Sequence, residues 1–250
     1  MIKIVTFNLR HDADRWVQRY PLVVQALIEQ NADVIAFQEV ALPIQQANVI
    51  ADALNTVIGE PTYRVYVQPK WGDQGREGIA ILSKIPAAEV TAIDLPEGGR
   101  VAQRIRVIHE GQPLNIVNTH LHHLPDKDES IRAPQMRAIL AWMASAPSED
   151  SWVLVGDFNA QPHTETIQSA AKTLQSAYWS IHGAEPLTFP TPLVTDNDEA
   201  YPSVAIDYVF FSPARLKVIS AQLVGTRPAD DDSSLYPSDH FGIAAELVFK

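Results

Sequence analysis

The segment WVLVGDFNAQP, Trp152 to Pro162, joins a buried strand to a polar turn. Its first four residues, Trp152 to Val155, are bulky and apolar, as in a strand inside a sheet. Gly156 follows, and Asp157 and Asn159 then place two polar side chains two residues apart. Successive side chains of a strand point to opposite faces, so residues two apart are expected to face the same way. The segment therefore predicts a strand that delivers a carboxylate and an amide to one site.

The bulk composition is that of an ordinary globular protein. The 250 residues are 46% hydrophobic and 20% charged, which suits one α/β domain with a full core. No apolar run approaches the roughly 18 residues that a membrane span needs, and Met1 leads into the strand-like IKIVTF, not into a signal peptide. The absence of cysteine excludes a thiolate nucleophile, a disulfide framework and a cysteine zinc site. We expect a single domain over residues 1–250, in the cytoplasm and without membrane contact.

The net charge of −11 bears on the class of partner. Proteins that grip long nucleic acids usually present a basic face that neutralises phosphates. An acidic total makes such a face less expected but does not exclude a local basic groove. The same excess of carboxylates suits a site that holds a divalent metal ion. No sequence feature points to a protein partner.

Hydrophobic periodicity divides the chain into two parts, each containing helices and strands. Helical spacing predicts helices that open at Pro21 and that span 44–58, 132–146 and 164–177. Short alternating or apolar runs between and after them predict strands. Two such halves are expected to pack their sheets face to face, with the helices outside.

Polar groups suited to metal or phosphate chemistry stand where predicted strands begin or end. They are Asn8, Glu39, His120, Asp157 with Asn159, and Asp239 with His240, while Asp207 lies within the predicted strand IDYVFF. If these strand ends meet at one edge, they form a concave site of oxygen ligands and two histidines. Hard divalent cations prefer carboxylate and amide oxygens. The pattern predicts a Mg²⁺ site, in which Mn²⁺ can substitute.

The chain resembles the endonuclease/exonuclease/phosphatase family, which has the deoxyribonuclease-I-like fold. The motifs that carry the resemblance are TFNLR around Asn8, FQEV around Glu39, REGIAILSK around Glu77, NTHL at His120, GDFNAQP at Asp157 and Asn159, IDYVFFS at Asp207, and SDHFG at Asp239 and His240. Each is weak evidence alone, but together they run in family order along essentially the whole chain. The resemblance implies a four-layer α/β/β/α sandwich of two mixed, mainly antiparallel sheets, and hydrolysis of a phosphodiester or phosphomonoester.

The resemblance also implies how the metal and the attacking water are held. Glu39 is expected to be the principal metal ligand, assisted by Asn8 and Asp239. Asp157 is expected to orient or deprotonate the water, and Asn159 to hold a phosphate oxygen.

Two carboxylate–histidine pairs complete the implied site. His240, steered by Asp207, is expected to bind phosphate or act as general base. His120, steered by Glu77, is expected to be its counterpart across the scissile phosphorus. A carboxylate on one ring nitrogen fixes the tautomer with which the other nitrogen acts.

Two motifs also have other interpretations. GDFN alone is typical of a turn. THLHH, with His120, His122 and His123, suggests a zinc hydrolase, because the metallo-β-lactamase superfamily is similar in having HxH followed by Asp-His. Leu124 and Pro125 stand where that aspartate and histidine are required, which argues against zinc. His122 and His123 are then either substrate contacts beside the site or plain loop residues.

Arg132, at the start of the following helix, is the other candidate substrate contact. Many bacterial members of the family have an arginine at a similar place, so Arg132 is expected either to touch substrate phosphate or to be a helix-surface arginine.

The substrate is not determined by these residues. The loops are short and lack a basic insertion, which favours a small phosphoester or a short single strand over duplex DNA. The alternative from another class is a non-catalytic binding protein that has kept the fold. It is weaker, because every expected catalytic position is filled.

Overall fold

The fold consists of two six-stranded sheets packed face to face, with helices on the outer surfaces. The computed structural model describes residues 1–123, 129–147, 149–194 and 202–250. In chain order the strands are β1 (Ile2–Asn8), β2 (Val34–Ala41), β3 (Arg64–Pro69), β4 (Glu77–Ser83), β5 (Ala87–Asp94), β6 (Val101–His109), β7 (Gln112–His120), β8 (Ser151–Asp157), β9 (Gln175–Ser176), β10 (Asp207–Phe211), β11 (Leu216–Val224) and β12 (Gly242–Phe249). The helices are α1 (Trp16–Gln30), α2 (Gln46–Ile58), α3 (Arg132–Ala144), α4 (Glu165–Ala170) and α5 (Ala177–His182), with a 3-10 turn at Pro192–Val194.

Each sheet is antiparallel apart from one parallel pair. The first sheet has the order β11-β12-β1-β2-β4-β3 and the second the order β5-β6-β7-β8-β10-β9. The parallel pairs are β1 with β2 and β7 with β8, and each is joined by a crossover helix, α1 or α3. The expected four-layer sandwich of two mixed, mainly antiparallel sheets is confirmed.

Three apolar clusters hold the four layers together. The middle cluster lies between the sheets and includes Ile4, Val155 and Val209. A second fills the space between the first sheet and helices α1 and α2, and the third does the same between the second sheet and helices α3 and α4. Burial of apolar surface on both faces of each sheet is the main stabilising contribution in such a layered fold.

Two helix predictions were wrong in extent. Helix α1 begins at Trp16, so Pro21 lies inside the helix and does not open it. The bond that Pro21 cannot donate would go to the carbonyl of Val17, a residue that is 84% exposed, so water can satisfy that oxygen. The helix predicted over 164–177 stops at Ala170, and the chain continues into β9 and α5.

The parallel pairs bring polar residues to one edge of the sandwich. The carboxyl ends of parallel neighbours meet at the same edge of their sheet. Strands β1 and β2 carry Asn8 and Glu39 to this edge in the first sheet, and β7 and β8 carry His120 and Asp157 in the second.

Antiparallel strands add their first residues to the same edge. Strand β4 begins at Glu77, which pairs with Ala41 near the end of β2, and β10 begins at Asp207, which pairs directly with Asp157. Asp239 and His240 immediately precede β12, which runs antiparallel to β1. Strand order and direction therefore bring motifs that are distant in the sequence to one edge of the sandwich.

None of the helices within the described ranges has the length and apolar character that a membrane crossing requires. A single domain over residues 1–250 stays a prediction.

Candidate active site

Two groups of ligand-type side chains meet at the shared edge. Atoms of Glu39, His120 and Asp157 lie within 4.8 Å of one another, and so do atoms of Asp157, Asp207 and His240. Asp157 belongs to both groups, so it lies at the centre of the site. Its side chain is almost fully buried.

A β-bulge directs Glu39 into the site. The pairing of β2 with β4 shifts register between Phe37 and Val40, and Glu39 has a φ of 50° in this interruption. A bulge re-aims the side chains around it. Burial, followed by the charge of Asp239, raises the pKa of the Glu39 carboxyl group. A cation beside this carboxylate would favour its charged form.

Asn8 ties two carboxylates together. Its side-chain amide nitrogen donates to Glu39 Oε1 at 3.2 Å and to Asp157 Oδ2 at 3.0 Å, and its amide oxygen accepts from the backbone N–H of Arg10 at 2.9 Å. Asn8 therefore faces the site with its nitrogen. To ligate a metal ion, as predicted, the amide would have to turn its oxygen toward Glu39.

Asp207 and His240 form the predicted pair. His240 Nδ1 lies 2.9 Å from Asp207 Oδ2, and both side chains are buried. Burial alone would lower the pKa of His240, but Asp207, Asp239 and Asp157 raise it well above the usual range. These carboxylates therefore favour the imidazolium form of His240, whose Nε2 lies 3.8 Å from Asp157 Oδ2.

The same charges act on Asp157 in the opposite direction. Burial and the neighbouring Asp207 raise its pKa to about 7, although the positive charge of His240 lowers it. A carboxyl group with such a pKa can accept a proton near neutral pH.

The prediction that Asp157 and Asn159 lie on the same strand was wrong. Strand β8 ends at Asp157, and Asn159 lies in a turn with a φ of 47°. Its backbone N–H donates to Asp157 Oδ1 at 2.9 Å, and its amide nitrogen donates to the carbonyl of Leu121 at 3.2 Å. Asn159 therefore lies in an Asx-type turn closed by Asp157, and its predicted contact with a phosphate oxygen stays a prediction.

The predicted Glu77–His120 hydrogen bond is not formed. His120 Nδ1 lies 3.8 Å from Glu77 Oε1, and the closer partner of Nδ1 is Arg100 Nη1 at 3.0 Å. Burial and the Arg100 charge hold the pKa of His120 well below its usual range. The other ring nitrogen, Nε2, is buried without a hydrogen-bond partner among the described residues, and lies 3.5 Å from Asp157 Oδ2.

Glu77 is instead bound by two other cations. Its Oε2 lies 2.7 Å from His11 Nε2 and 2.8 Å from Lys70 Nζ. Burial alone would raise the pKa of Glu77, but these two hydrogen bonds lower it to about 2. Glu77 also raises the pKa of His11. The carboxylate therefore stays charged and connects β4 to the loop after β1.

Asp239 makes an ion pair outside the two ligand groups. Its Oδ2 accepts from Arg10 Nη1 at 2.8 Å, and its Oδ1 accepts from the Ser238 hydroxyl at 3.2 Å. The charge of Asp239 still acts on Glu39 and His240. Its predicted role as a metal ligand stays a prediction.

The histidine loop does not form the alternative zinc site. Neither His122 nor His123 belongs to the two ligand groups found in the described part of the chain. His122 is buried and packs beside His123, whose exposed ring accepts from Arg100 Nη2 at 2.8 Å.

Arg132 is not a helix-surface arginine. It is 8% exposed and donates to Glu129 and to the carbonyl of His122. Contact of Arg132 or His123 with substrate stays a prediction.

The sequence contained a signal for Arg100 that was missed. Glu110 and Gly111 form a two-residue hairpin turn with positive φ at both positions, the geometry that two-residue hairpins favour. Counting back from this turn aligns Val101 with His120, so Arg100 lies beside His120 across the two strands. The register of one hairpin therefore predicts the neighbour of His120.

Arg10, His11 and Arg19 were missed for a different reason. They lie in or after an irregular loop, where several non-glycine residues adopt positive φ. No periodicity predicts side-chain direction in such a loop.

A divalent cation fits this donor set. Glu39, Asp157 and Asp207 place three carboxylates within the two compact groups. Oxygen-rich sites of this kind suit hard cations. Asp207 Oδ1 is a buried oxygen without a hydrogen-bond partner in the described structure.

The comparisons with known proteins agree with this geometry. Residues 5–240 match the sequence profile of the Endonuclease/Exonuclease/phosphatase family, and the chain therefore belongs to that family. Its members are metal-dependent hydrolases of phosphoesters. The family expected from the sequence motifs is confirmed.

Individual relatives are more distant. Nocturnin of Drosophila melanogaster is 25% identical over 282 aligned positions, which cover 94% of this chain and 42% of Nocturnin. The chain thus spans less than half the length of this curated relative.

Three similar structures show the shared fold. The catalytic domain of human Nocturnin with bound sulfate superposes with a TM-score of 0.78 at 20% identity, covering 100% of this chain and 94% of that one. D. rerio TDP2 complexed with a single-strand DNA product gives 0.80 at 17% identity, covering 99% and 98%. The mannosyl-6-phosphatase Bt3783 of Bacteroides thetaiotaomicron VPI-5482 gives 0.77 at 20% identity, covering 100% of both chains.

Proposed function

We propose that this protein hydrolyses a phosphodiester or phosphomonoester by in-line attack of water, with Mg²⁺ as its metal ion and Mn²⁺ as a substitute. The observation that carries the proposal is Asp157, which connects a group with Glu39 and His120 to a group with Asp207 and His240. A phosphate bound at this edge would then lie beside carboxylates of both groups and two histidines.

Glu39 is the proposed principal metal ligand, with Asp239 and the amide oxygen of Asn8 assisting. The raised pKa of Glu39 supports this, because a carboxylate destabilised by burial gains most from a cation. A bound Mg²⁺ would stabilise negative charge on phosphoryl oxygens.

Four side chains are assigned the other roles in the proposed hydrolysis. Asp157 orients the attacking water and accepts its proton, for which a pKa of about 7 is suited. The His240 imidazolium, held by Asp207, donates from Nε2 to a phosphoryl oxygen. His120 approaches from the other side of Asp157 Oδ2, and Asn159 adds an amide next to it. Preorganised donors of this kind stabilise charge that develops in the transition state.

A small phosphoester or a short single strand is the proposed substrate class. The net charge of −11 opposes broad binding of a polyanion. Arg10, Lys70 and Arg100 are bound to carboxylates or histidines of the site itself, so they form a local positive rim and not an extended basic face. Relatives of this fold include a sugar phosphatase and a protein that binds a DNA product, so both classes belong in the test.

The test is a hydrolysis panel with Mg²⁺, repeated with chelator. It includes single-stranded DNA and RNA, abasic duplex, plasmid, sugar phosphates, sphingomyelin and a small chromogenic phosphodiester. Asp157→Ala and His240→Ala are each expected to lower turnover by at least about 10²-fold. Asp52→Asn, on the exposed face of α2, and His109→Ala, at the opposite end of β6, are matched controls expected to keep full activity.

Near-wild-type rates in either active-site variant would contradict the mechanism. Absence of metal-dependent turnover on every ester, in a protein that still binds Mg²⁺, would support a non-catalytic binding protein instead. The cytoplasmic location expected from the sequence stays a prediction.

A further inference from the structure

Arg100 binds two histidines of the site at once. Its Nη1 lies 3.0 Å from His120 Nδ1, and its Nη2 lies 2.8 Å from His123 Nδ1. Arg100 is only 4% exposed. One buried guanidinium therefore faces the same ring nitrogen of both histidines, although neither the sequence motifs nor the family comparison assigns it a role.

The chemistry of a guanidinium decides where the imidazole protons lie. A guanidinium has only N–H donors and no acceptor. Each Nδ1 atom that it contacts must therefore be the accepting nitrogen, so the proton of each neutral ring lies on Nε2. For His120, this places an N–H group on the atom that points toward Asp157.

We propose that Arg100 is a positioning residue that fixes His120 and His123 as Nε2–H tautomers, and that the Nε2–H of His120 donates a hydrogen bond to an oxygen of the bound phosphoester. This inference rests on the proposed phosphoester hydrolysis. A second observation supports the contact with the substrate: His120 is 4% exposed, and its Nε2 makes no hydrogen bond among the described residues, although Asp157 Oδ2 lies 3.5 Å from it. A buried N–H group without a partner is costly, and a substrate oxygen would satisfy it.

The competing arrangement would reverse the chemistry of His120. If Glu77 accepted from Nδ1, the proton would be on Nδ1, and Nε2 would be a base. Glu77 Oε1 is 3.8 Å from Nδ1, however, and Glu77 Oε2 is occupied by His11 and Lys70. Arg100 Nη1 is also 3.7 Å from Glu77 Oε1, so the guanidinium lies next to the carboxylate that would otherwise hold the ring.

The tautomers are measured directly by two-bond ¹⁵N–¹H correlation spectra of the histidine rings, in the full chain with and without Mg²⁺. We expect the Nε2–H pattern for His120 and His123 in the wild-type protein under both conditions. The Nδ1–H pattern for His120 in either condition would overturn the inference. Assignment uses His120→Gln and His123→Gln, which remove one signal each.

Three variants distinguish the effect of Arg100 on the His120 tautomer from that of Glu77. Arg100→Met should release His120 from the Nε2–H tautomer and lower turnover by about 10²-fold. Glu77→Gln should leave the His120 tautomer unchanged, whereas steering by Glu77 predicts that it changes. Arg64→Met, an exposed arginine on β3, is the control and should change neither spectrum nor rate. An unchanged His120 tautomer in a folded Arg100→Met protein would overturn the inference.

The spectra remain decisive if Arg100→Met does not fold, because the wild-type and Glu77→Gln spectra alone distinguish the two arrangements. They are also independent of turnover. Failure of the proposed function would appear as an inactive wild-type protein in the hydrolysis panel, whereas failure of the Arg100 inference would appear as the wrong tautomer in an active one.

Discussion

Asp157 and Asp207 are direct partners across the antiparallel strands β8 and β10. Two carboxylates on one rung of a sheet repel each other, and Asp207 accordingly contributes to the raised pKa of Asp157. The repulsion is offset by His240, whose Nδ1 bonds to Asp207 and whose Nε2 faces Asp157. The pairing of these strands therefore contributes to the raised pKa of both Asp157 and His240.

Asp207→Asn is expected to lower the pKa of His240 and to reduce turnover by about 10²-fold. The amide keeps the shape of the side chain but removes the negative charge that favours the imidazolium. An NMR titration of His240 with parallel rate measurements checks both effects, with Asp52→Asn as the control. A His240 that titrates as in the wild-type protein would show that Asp207 is not the source of the shift.

Glu39→Gln is expected to raise the Mg²⁺ concentration needed for half-maximal activity by at least about 10-fold, because it removes a charged metal ligand. Burial and the charge of Asp239 raise the pKa of Glu39, so a cation beside it would favour the charged carboxylate. Titration calorimetry with Mg²⁺ alone measures the same loss without substrate. Glu60→Gln, on the exposed segment after α2, is the control. An unchanged Mg²⁺ titration would remove Glu39 from the ligand set.

The layered fold and the polar strand ends that meet at one edge could be predicted from the sequence. Apolar runs ending in Asn8, Glu39, His120 and Asp157 indicate strands whose polar ends meet, and the structure brings them to one edge. Periodicity places these polar groups at strand ends, and the resemblance of the motifs to those of the family implies that the ends meet.

The contacts between the members could not be predicted in the same way. Glu39 is directed by a bulge, and Asn159 by a turn with positive φ. Glu77 takes His11 as its partner because the loop after β1 folds back over β4. Such contacts depend on local backbone geometry that apolar periodicity does not specify.

Arg19 organises that loop. Its fully buried guanidinium donates to backbone carbonyl groups of residues 9, 10, 11, 13, 14 and 237. Burial lowers its pKa to about 10, so it stays charged at neutral pH. One side chain therefore holds the loop that carries Arg10 and His11 against the segment that leads to Asp239.

Arg19→Met is expected to lower the free energy of unfolding by about 3–5 kcal/mol, because it leaves buried carbonyl groups without donors. Turnover should fall as well, since Arg10 and His11 lose their support. Urea unfolding with rate measurements on the folded fraction tests this. Arg227→Met removes an exposed arginine and should change stability by less than about 0.5 kcal/mol. Equal stability of the two variants would contradict the structural role of Arg19.

Gly156→Ala is expected to destabilise the protein by about 3 kcal/mol or more, or to prevent folding. Gly156 has a φ of 147°, and a Cβ atom there would overlap the carbonyl oxygen of Thr119 on β7. The glycine thus permits the close approach of the strands that end in His120 and Asp157. Gly183→Ala also has an unfavourable φ but open space around it, so it should cost only about 1 kcal/mol. Thermal unfolding compares the variants, and similar melting temperatures would refute the steric explanation.

Glu77→Gln is expected to destabilise the protein most between about pH 4.5 and 6.5. The pKa of Glu77 is lowered to about 2 from 4.5, so its contribution is fully present above about 4.5 and is lost as the pH falls toward 2. The pKa of His11 is raised from 6.5, so the contribution of its charge is fully present below 6.5 and is lost as the pH rises through the folded value.

The expected loss in that window is about 1–3 kcal/mol, since a buried charged hydrogen bond is removed. Urea unfolding at pH 3, 5.5 and 8.5 measures it, and the difference from wild type should be largest at the middle value. When the Glu77→Gln effect is measured in a His11→Gln background, the stability difference should no longer decrease from pH 5.5 to 8.5. It should still decrease from pH 5.5 to 3, because Lys70 still binds Glu77. A difference that is constant over the three pH values would mean that the Glu77 cluster contributes packing and not charge.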